Sequence, residues 1–442
     1  MDATLPVHIY GTHVGDIRRI SRDQITYQST SEGMAKFGIG STIVSLSLPL
    51  GPRQSLPGAA TAFFGGLLPE GKGLDNLVRD SGAERPDVFG HLAYAGLDVA
   101  GALQIGEISD LSAGSYKPMT DSQVAEKIER IHRHTLGQLG GGGSLAGYQP
   151  KMTMARIQGT WHDAVDGAPS THIVKPCADE DAARGLRSLY DEAYCLELGR
   201  RCSLVNFASE VAMFDDTAAL VIERYDRFTD VQGGIGRVHQ EDLAQAISLA
   251  WDTDSKFEHN YPYRATLKNM ASVLARRRNA FGQGLDDREQ LLAYVVTNVV
   301  CGNTDAHGKN FSILHRPDGR IELAPLYDVT PQILYYGRPV TLSMKIDGIS
   351  HQPHVTREAL ISEAASWGLK ANHALEVINE TLEKLRYANQ EIDLRGGSEK
   401  LPLLVAGHAK NLLNGRKAVI ARGPISLSNL PPVSKLPPAT EA

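Results

Sequence analysis

Four cysteines in 442 residues are too few for a disulfide framework. Cys177, Cys195, Cys202 and Cys301 show no Cys-x-x-Cys spacing and stand near no histidine pair of zinc-site pattern, which predicts reduced core thiols. His132, His134 and His239 suggest no metal site either. No apolar run approaches the roughly 20 residues of a membrane span; the longest, residues 291–301, is interrupted by Thr297 and Asn298. The first six residues lack the basic start and apolar stretch of a secretory leader, so the expected location is cytoplasmic, without a membrane partner. Positive charge is also short: 45 Lys plus Arg against 51 Asp plus Glu leave a net −6, so bulk charge would not draw the chain to DNA. The sharp basic run 276–278 reads as a solvated helix face or as a local contact to DNA phosphates. Repeats and compositional bias toward disorder are absent outside the proline-rich tail 423–442.

What is present is an ordinary globular composition and a length that allows two or three domains. Period-2 patterning predicts short strands at 7–10, 14–17, 25–27 and 44–48, with a turn at Gly11, and helices follow at 75–80 and 88–94. After a very glycine-rich stretch at 137–143, strands are predicted at 151–157, 171–175, 210–214 and 218–223, with a helix at 191–201 among them. From Glu241 to about Leu412 helical periodicity dominates, broken by a loop-and-strand region at 303–331. Strands with one inserted helix, then helices, describe an α+β lobe followed by an all-α lobe.

The segment Cys301-Gly302-Asn303-Thr304-Asp305-Ala306-His307-Gly308-Lys309-Asn310-Phe311 follows the apolar helix and precedes a short strand. Asp305 and Asn310 have the D-x-x-x-x-N spacing of a kinase catalytic loop, where the Asp accepts the substrate hydroxyl proton and the Asn holds magnesium. Eighteen positions on, Asp328 fits the second metal-binding carboxylate. Asp and Asn are common turn residues, so the pair needs corroboration. Lys175 ends an apolar strand, where its stem can pack while its ammonium meets phosphates; Glu192, at the start of the next helix, is placed to pair with it. Glu223-Arg224-Tyr225 ends the following strand, where a kinase has its adenine-binding hinge. Glycine loop, Lys, Glu, hinge, catalytic loop and metal Asp thus occur in kinase order. Departures from ordinary kinases are the missing His-Arg before Asp305, His307 in place of the catalytic-loop Lys, and the lack of a full G-x-G-x-x-G.

Gly143-Ser144-Leu145-Ala146-Gly147-Tyr148-Gln149-Pro150-Lys151, His172-Ile173-Val174-Lys175, Val221-Ile222-Glu223-Arg224-Tyr225-Asp226-Arg227, Asn303 to Phe311 and Leu326-Tyr327-Asp328 resemble the HipA toxin kinases. Phe64-Gly65-Gly66-Leu67-Leu68-Pro69-Glu70-Gly71 looks like the amino-terminal domain of that family, so the resemblance spans about residues 5–420. It implies a two-lobed kinase-like α+β fold: an extra β-rich amino-terminal subdomain (1–110), an N-lobe (111–228) and an all-α carboxy-terminal lobe (229–422); the proline-rich composition of 423–442 predicts a disordered tail. It further implies ATP and Mg2+ as cofactors and Asp305 as catalytic residue. Asn310 and Asp328 would be metal ligands, and Lys151, Lys175, Glu223, Tyr225 and His307 nucleotide contacts. Ser144 would be a site of inactivating autophosphorylation. The implied partners are a HipB-like DNA-binding antitoxin, operator DNA only through that complex, and a protein substrate, with tRNA synthetases one candidate class.

Two other readings remain. Asp305, His307 and Asp328 could form a hydrolytic metal site, which would need neither Lys175 nor a glycine loop. A catalytically dead kinase fold could act as a co-repressor, but the polar catalytic positions are all filled.

Overall fold

A computed structural model describes residues 4–107, 114–131, 147–177, 182–251, 254–275, 287–335 and 340–418. The glycine run 140–143, Ser144, His132, His134, the basic run 276–278 and the tail 423–442 lie outside the described residues. The chain gathers into two compact units, Met1–Pro176 with Ala212–Asp287 and His307–Pro325, and Cys177–Val211 with Arg288–Ala306 and Leu326–Ala442.

The first unit begins with an antiparallel sheet of β1 (Thr4–Ile9), β2 (Thr12–Arg19), β3 (Ile25–Ser29) and β4 (Leu103–Ile105), ordered β3-β2-β1-β4. Tyr10 and Gly11 both take positive φ, 50° and 75°, the paired left-handed backbone of a hairpin turn whose twist matches the strands. The predicted alternation holds here: Val7, Ile9, Val14 and Ile17 are buried with Phe63 and Phe64 of a helix between β3 and β4. Four helices fill that connection: α1 (Ser31–Phe37), α2 (Pro57–Gly65), α3 (Gly71–Ser81) and α4 (Val88–Ala95). Thr30 and Asp87 cap α1 and α4 by accepting from the Gly33 and Gly90 amides at 3.0 Å.

Residues 44–48, predicted as a strand, form turns instead. The Leu46 amide and the Ser45 hydroxyl both donate to the carboxylate of Glu241, at 2.8 and 2.6 Å, and the same carboxylate meets His315 Nε2 at 2.9 Å. A buried side chain from far along the sequence supplies the partner that a neighbouring strand would have given.

A second sheet holds β5 (Ser115–Met119), β6 (Met152–Ile157), β7 (Thr160–Val165), β8 (His172–Pro176), β9 (Ser209–Phe214) and β10 (Thr217–Glu223), ordered β5-β7-β6-β8-β10-β9. Helix α5 (Asp121–Ile131) packs Val124, Ile128 and Ile131 on Met152, Met154, Val174, Phe214 and Val221. Strands β5 and β7 and helix α5 were not among the sequence expectations. The β6–β7 turn, Gln158-Gly159 with φ of 50° and 83°, lacks the usual Asn-Gly or Asp-Gly signal.

Beyond β10 come the hairpin β11 (Arg227–Thr229) and β12 (Ile235–Arg237), then β13 (His239–Asp242) in a sheet with β14 (Ser312–His315) and β15 (Ile321–Leu323), ordered β13-β14-β15. Glu241 therefore lies in a strand rather than opening a helical region. α7 (Leu243–Ala246) and α8 (Leu267–Ala275) complete the unit.

The second unit is mainly helical. It contains α6 (Ala182–Arg201), α9 (Asp287–Cys301), α10 (Arg357–Ser366), α11 (Ala371–Ala388) and α12 (Lys400–Leu413), with the hairpin β16 (Thr341–Ile346) and β17 (Ile349–His351) among them. Every residue from Leu291 to Cys301 is buried, which explains why α9 is apolar all round. Among the described residues no helix is long and apolar enough to cross a membrane. α6 starts nine residues before the predicted 191, so Glu192 is a buried interior residue and not a first-turn one.

Candidate active site

In the first unit, Lys175 lies on β8 opposite Leu220 of β10, and the same strand pair sets His172 opposite Glu223. Lys175 is 6% exposed, its stem packed in the sheet. Lys151 immediately precedes β6 and folds back over Gly147, where a side chain would run into its ammonium. Gly147 also has φ of 119°, a backbone state that suits glycine alone.

After β10 the side chains alternate. Glu223 is exposed and Tyr225 half-buried, while Arg224 and Asp226 point inward. Arg224 forms a fork on Asp226, Nε to Oδ1 at 2.9 Å and Nη2 to Oδ2 at 2.8 Å, and donates to Ser170 Oγ and the Val99 carbonyl. Asp226 accepts from the Gly101 amide at 2.7 Å, and Arg227 pairs with Asp98 at 2.9 Å. Burial acts to raise the Asp226 carboxyl, but Arg224 and Arg227 outweigh it and hold it below the usual range. This network ties the end of β10 to residues 98–101. The Tyr225 hydroxyl donates to Gln240, and burial pushes its pKa up.

His307 and Asn310 are both buried; His307 caps a single 3-10 turn, Gly308–Asn310, and Asn310 ends it. The His307 amide donates to Asn310 Oδ1 at 3.1 Å and the Lys309 amide to His307 Nδ1 at 3.3 Å, a reciprocal cap that fixes both side chains. The His307 ring stands edge-on to Phe257, with centroids 5.6 Å apart. The Lys309 ammonium reaches Glu70 Oε1 at 2.8 Å, and Lys256 takes the other oxygen at 2.6 Å. Burial acts to raise the Glu70 carboxyl, but Lys309 and Lys256 prevail and bring it down to about 2.

In the second unit, α9 ends at Cys301, and Gly302, with φ of 72°, turns the chain into Asn303. The Asn303 side chain accepts from the Asp305 amide at 3.1 Å and donates to the Asp328 carbonyl at 3.3 Å and to Asn298 Oδ1 at 2.8 Å. Asp305 is exposed, with Ser343 Oγ and Gln332 Nε2 each at a long 3.5 Å from its carboxylate. Asp328 is partly exposed and has φ of 56°, a left-handed state that Asp tolerates better than most residues. Asp305 and Asp328 are thus linked through one side chain. Lys175 and Glu192 fall in different units. Sequence reasoning passed over Asn303 as a site residue, along with Glu70 and Lys256. In the sequence Glu70 stands only within the Leu-Leu-Pro-Glu-Gly motif, and Asn303 only where a kinase has His-Arg.

Along the chain come a strand with Lys175, a strand ending at Glu223, the D-x-x-x-x-N spacing of Asp305 and Asn310 and a later loop with Asp328, an order that matches a kinase-like phosphotransferase. The family model described as HipA-like C-terminal domain matches residues 143–388, and the HipA N-terminal domain matches residues 5–106. Protein Y4mE of Sinorhizobium fredii, named as a kinase, is 32% identical over 312 residues, covering 69% of this chain and 71% of that one. The serine/threonine-protein kinase toxin HipA of Shewanella oneidensis is 26% identical over 393 residues, 85% and 86% of the two chains. A solved Shewanella oneidensis MR-1 structure, a complex of HipA, HipB and its operator DNA, aligns with a TM-score of 0.74 at 24% identity, covering 93% of this chain and 96% of that one. The chain belongs to the HipA family of serine/threonine kinase toxins and is a kinase.

Proposed function

We propose that the chain transfers the γ-phosphate of ATP to a serine or threonine hydroxyl of a protein, with Asp305 orienting that hydroxyl and accepting its proton. Asn310 and Asp328 are the oxygen donors that would hold magnesium. Their chemistry suits that ion, which takes one or two protein oxygens and completes its shell with phosphates and water. When bound, it neutralises phosphate charge. Lys175 and Lys151 meet phosphate oxygens, Glu192 is the candidate partner of Lys175, and His307 lies against the nucleotide. Glu223 and Tyr225 form the hinge that receives the adenine. The observation that carries this reading is the Asn303 bridge, which fixes the Asp305 and Asp328 loops to each other. Among the described residues no group of three His, Cys, Asp or Glu side chains could hold a metal by itself, so the hydrolytic alternative has less support.

The same reading divides the chain at about residues 110, 228 and 422. It includes a HipB-like antitoxin that carries the complex to operator DNA, a cytoplasmic setting, and a protein substrate for which tRNA synthetases are one candidate class. Autophosphorylation of Ser144 would end activity, since a phosphate adds about −1.5 to −2 charge beside those of ATP.

The test is labelled ATP with a cell lysate, comparing wild type with Asp305→Ala and Asp328→Asn, each beside a thermal melt. Labelled protein bands should appear only with wild type while all three chains melt alike. Retained transfer in Asp305→Ala would remove that residue from the chemistry. Phosphate on Ser144, read by mass spectrometry, should be present in wild type and missing in Asp305→Ala.

A further inference from the structure

The Leu67-Leu68-Pro69-Glu70-Gly71 segment ends the turn after α2 and leads into α3, and its glutamate is 3% exposed. A buried carboxylate is costly unless it is paired, and Glu70 is paired twice, with ammonium groups from two distant places in the chain. One is Lys256. The other is Lys309, between His307 and Asn310 in the catalytic-loop segment. The Glu70 backbone does a third thing: its amide donates to the Gly147 carbonyl at 3.1 Å, four residues before Lys151. Gly71 next to it has φ of 51° and lies so close to the Tyr148 ring that a side chain there would strike it.

We infer that Glu70 is a positioning residue for phosphoryl transfer, an amino-terminal carboxylate that sets the 307–310 turn and the base of the 147–151 loop together. This rests on the kinase reading above and extends it to a residue outside the kinase motifs. The physical route is short. Lys309 is held at its tip by Glu70 and at its amide by His307 Nδ1, and the same turn places the Asn310 carboxamide. Replacing the carboxylate by a neutral amide of the same shape leaves two ammonium groups around one acceptor. They repel each other, Lys309 shifts, and the turn that orients His307 and Asn310 loosens.

The test compares the full-length chain with Glu70→Gln and with Glu70→Gln/Lys256→Met, which removes one of the two ammonium groups. Three readouts are needed: transfer kinetics against magnesium concentration, amide hydrogen exchange, and a thermal melt. Glu70→Gln should lower kcat roughly 10- to 100-fold, the usual cost of losing a partner that orients metal ligands, and raise the magnesium concentration for half-maximal rate. Exchange should rise at 307–311 and 147–151 while β1–β3 stay protected, and the double variant should recover part of both losses. Unchanged kcat and magnesium dependence in Glu70→Gln would overturn the inference, as would a uniform rise in exchange with a collapsed melt, which marks a purely structural role. Absence of transfer by the wild-type chain would overturn the kinase reading with it, whereas an active wild type beside an unaffected Glu70→Gln overturns this inference alone.

Discussion

The side-chain amide of Asn303 donates to the backbone carbonyl of Asp328 at 3.3 Å, a span of 25 residues, while its oxygen receives the Asp305 amide. Asn303 is 2% exposed, so neither bond competes with water. Asn303→Ala leaves the Asp305 amide and the Asp328 carbonyl without that partner and frees the two loops from each other. Phosphoryl transfer should fall roughly 10- to 100-fold, as when an orienting partner of metal ligands is lost, with about 1–3 kcal/mol of stability. Single-turnover kinetics beside urea unfolding measures both, and a stability loss without a kinetic one would make the bridge merely structural. For Asp328 itself asparagine is the better probe than alanine, because φ of 56° adds backbone strain to alanine.

The Arg224–Asp226 fork is almost wholly buried, with side chains 1% and 3% exposed. Breaking such a pair leaves a buried charge with only its secondary partner, Arg227 for Asp226 at 3.0 Å and Asp98 for Arg224 at 3.7 Å, in a place that water does not reach. Asp226→Ala should cost about 3–5 kcal/mol, and Arg224→Ala a similar amount. The double variant should cost less than the sum of the two, since neither charge is then stranded. Denaturant midpoints for the four proteins form the cycle; strict additivity would show the pair to be uncoupled.

The thiols differ in a way that one reagent can count. Cys195, Cys202 and Cys301 are buried and Cys177 is half-buried. The Cys195 thiol is raised by its hydrogen bond with Cys301 and by burial, and burial pushes Cys202 up to about 12. The native protein at pH 8 should therefore give at most one rapidly reacting thiol, and unfolding should expose four. Rapid modification of more than one native thiol would contradict this packing.

Local chemistry was legible in the sequence. The period-2 runs around Val7 and Val14, the strand that carries Lys175 and the apolar helix before Asn303 all fall where periodicity placed them, because each buries one face or all faces in its own neighbourhood. What stayed hidden depends on partners far apart in the chain. Glu70 and Lys309 are 239 positions apart, and Ser45 and Glu241 are 196 apart; no spacing rule connects either pair. The second pair also explains the misread strand at 44–48, where the alternating Val-Ser-Leu-Ser-Leu pattern is not matched by alternating burial: Val44 and Ser45 are both buried in turns anchored by a distant carboxylate. Strand β7 escaped for a different reason: Trp161 and Ala164 are its only buried residues, so half of its length carries little apolar signal.

Asp242 offers a test through pH. It caps α7, with Oδ1 accepting the Gln245 amide at 2.7 Å while Gln245 Oε1 accepts the Asp242 amide at 2.9 Å. Burial raises its carboxyl from 3.8 to about 7, with Lys309 and the Gln245 amide pulling the other way. A folded-state pKa above the unfolded one means that, between about pH 4 and 7, the folded chain keeps a proton that the unfolded chain has released. Its contribution is full below about pH 4 and is lost as pH rises through about 7. Asp242→Asn keeps an oxygen for the cap and cannot ionise, so it lacks this slope. Relative to that variant, wild type should lose stability from pH 4 to pH 8, on the order of 4 kcal/mol for a shift of about three pKa units. Urea unfolding of both proteins at pH 5 and pH 8 gives the sign directly. A difference that stays constant, or that turns in favour of wild type at pH 8, would mean that Asp242 is already ionised when the chain folds.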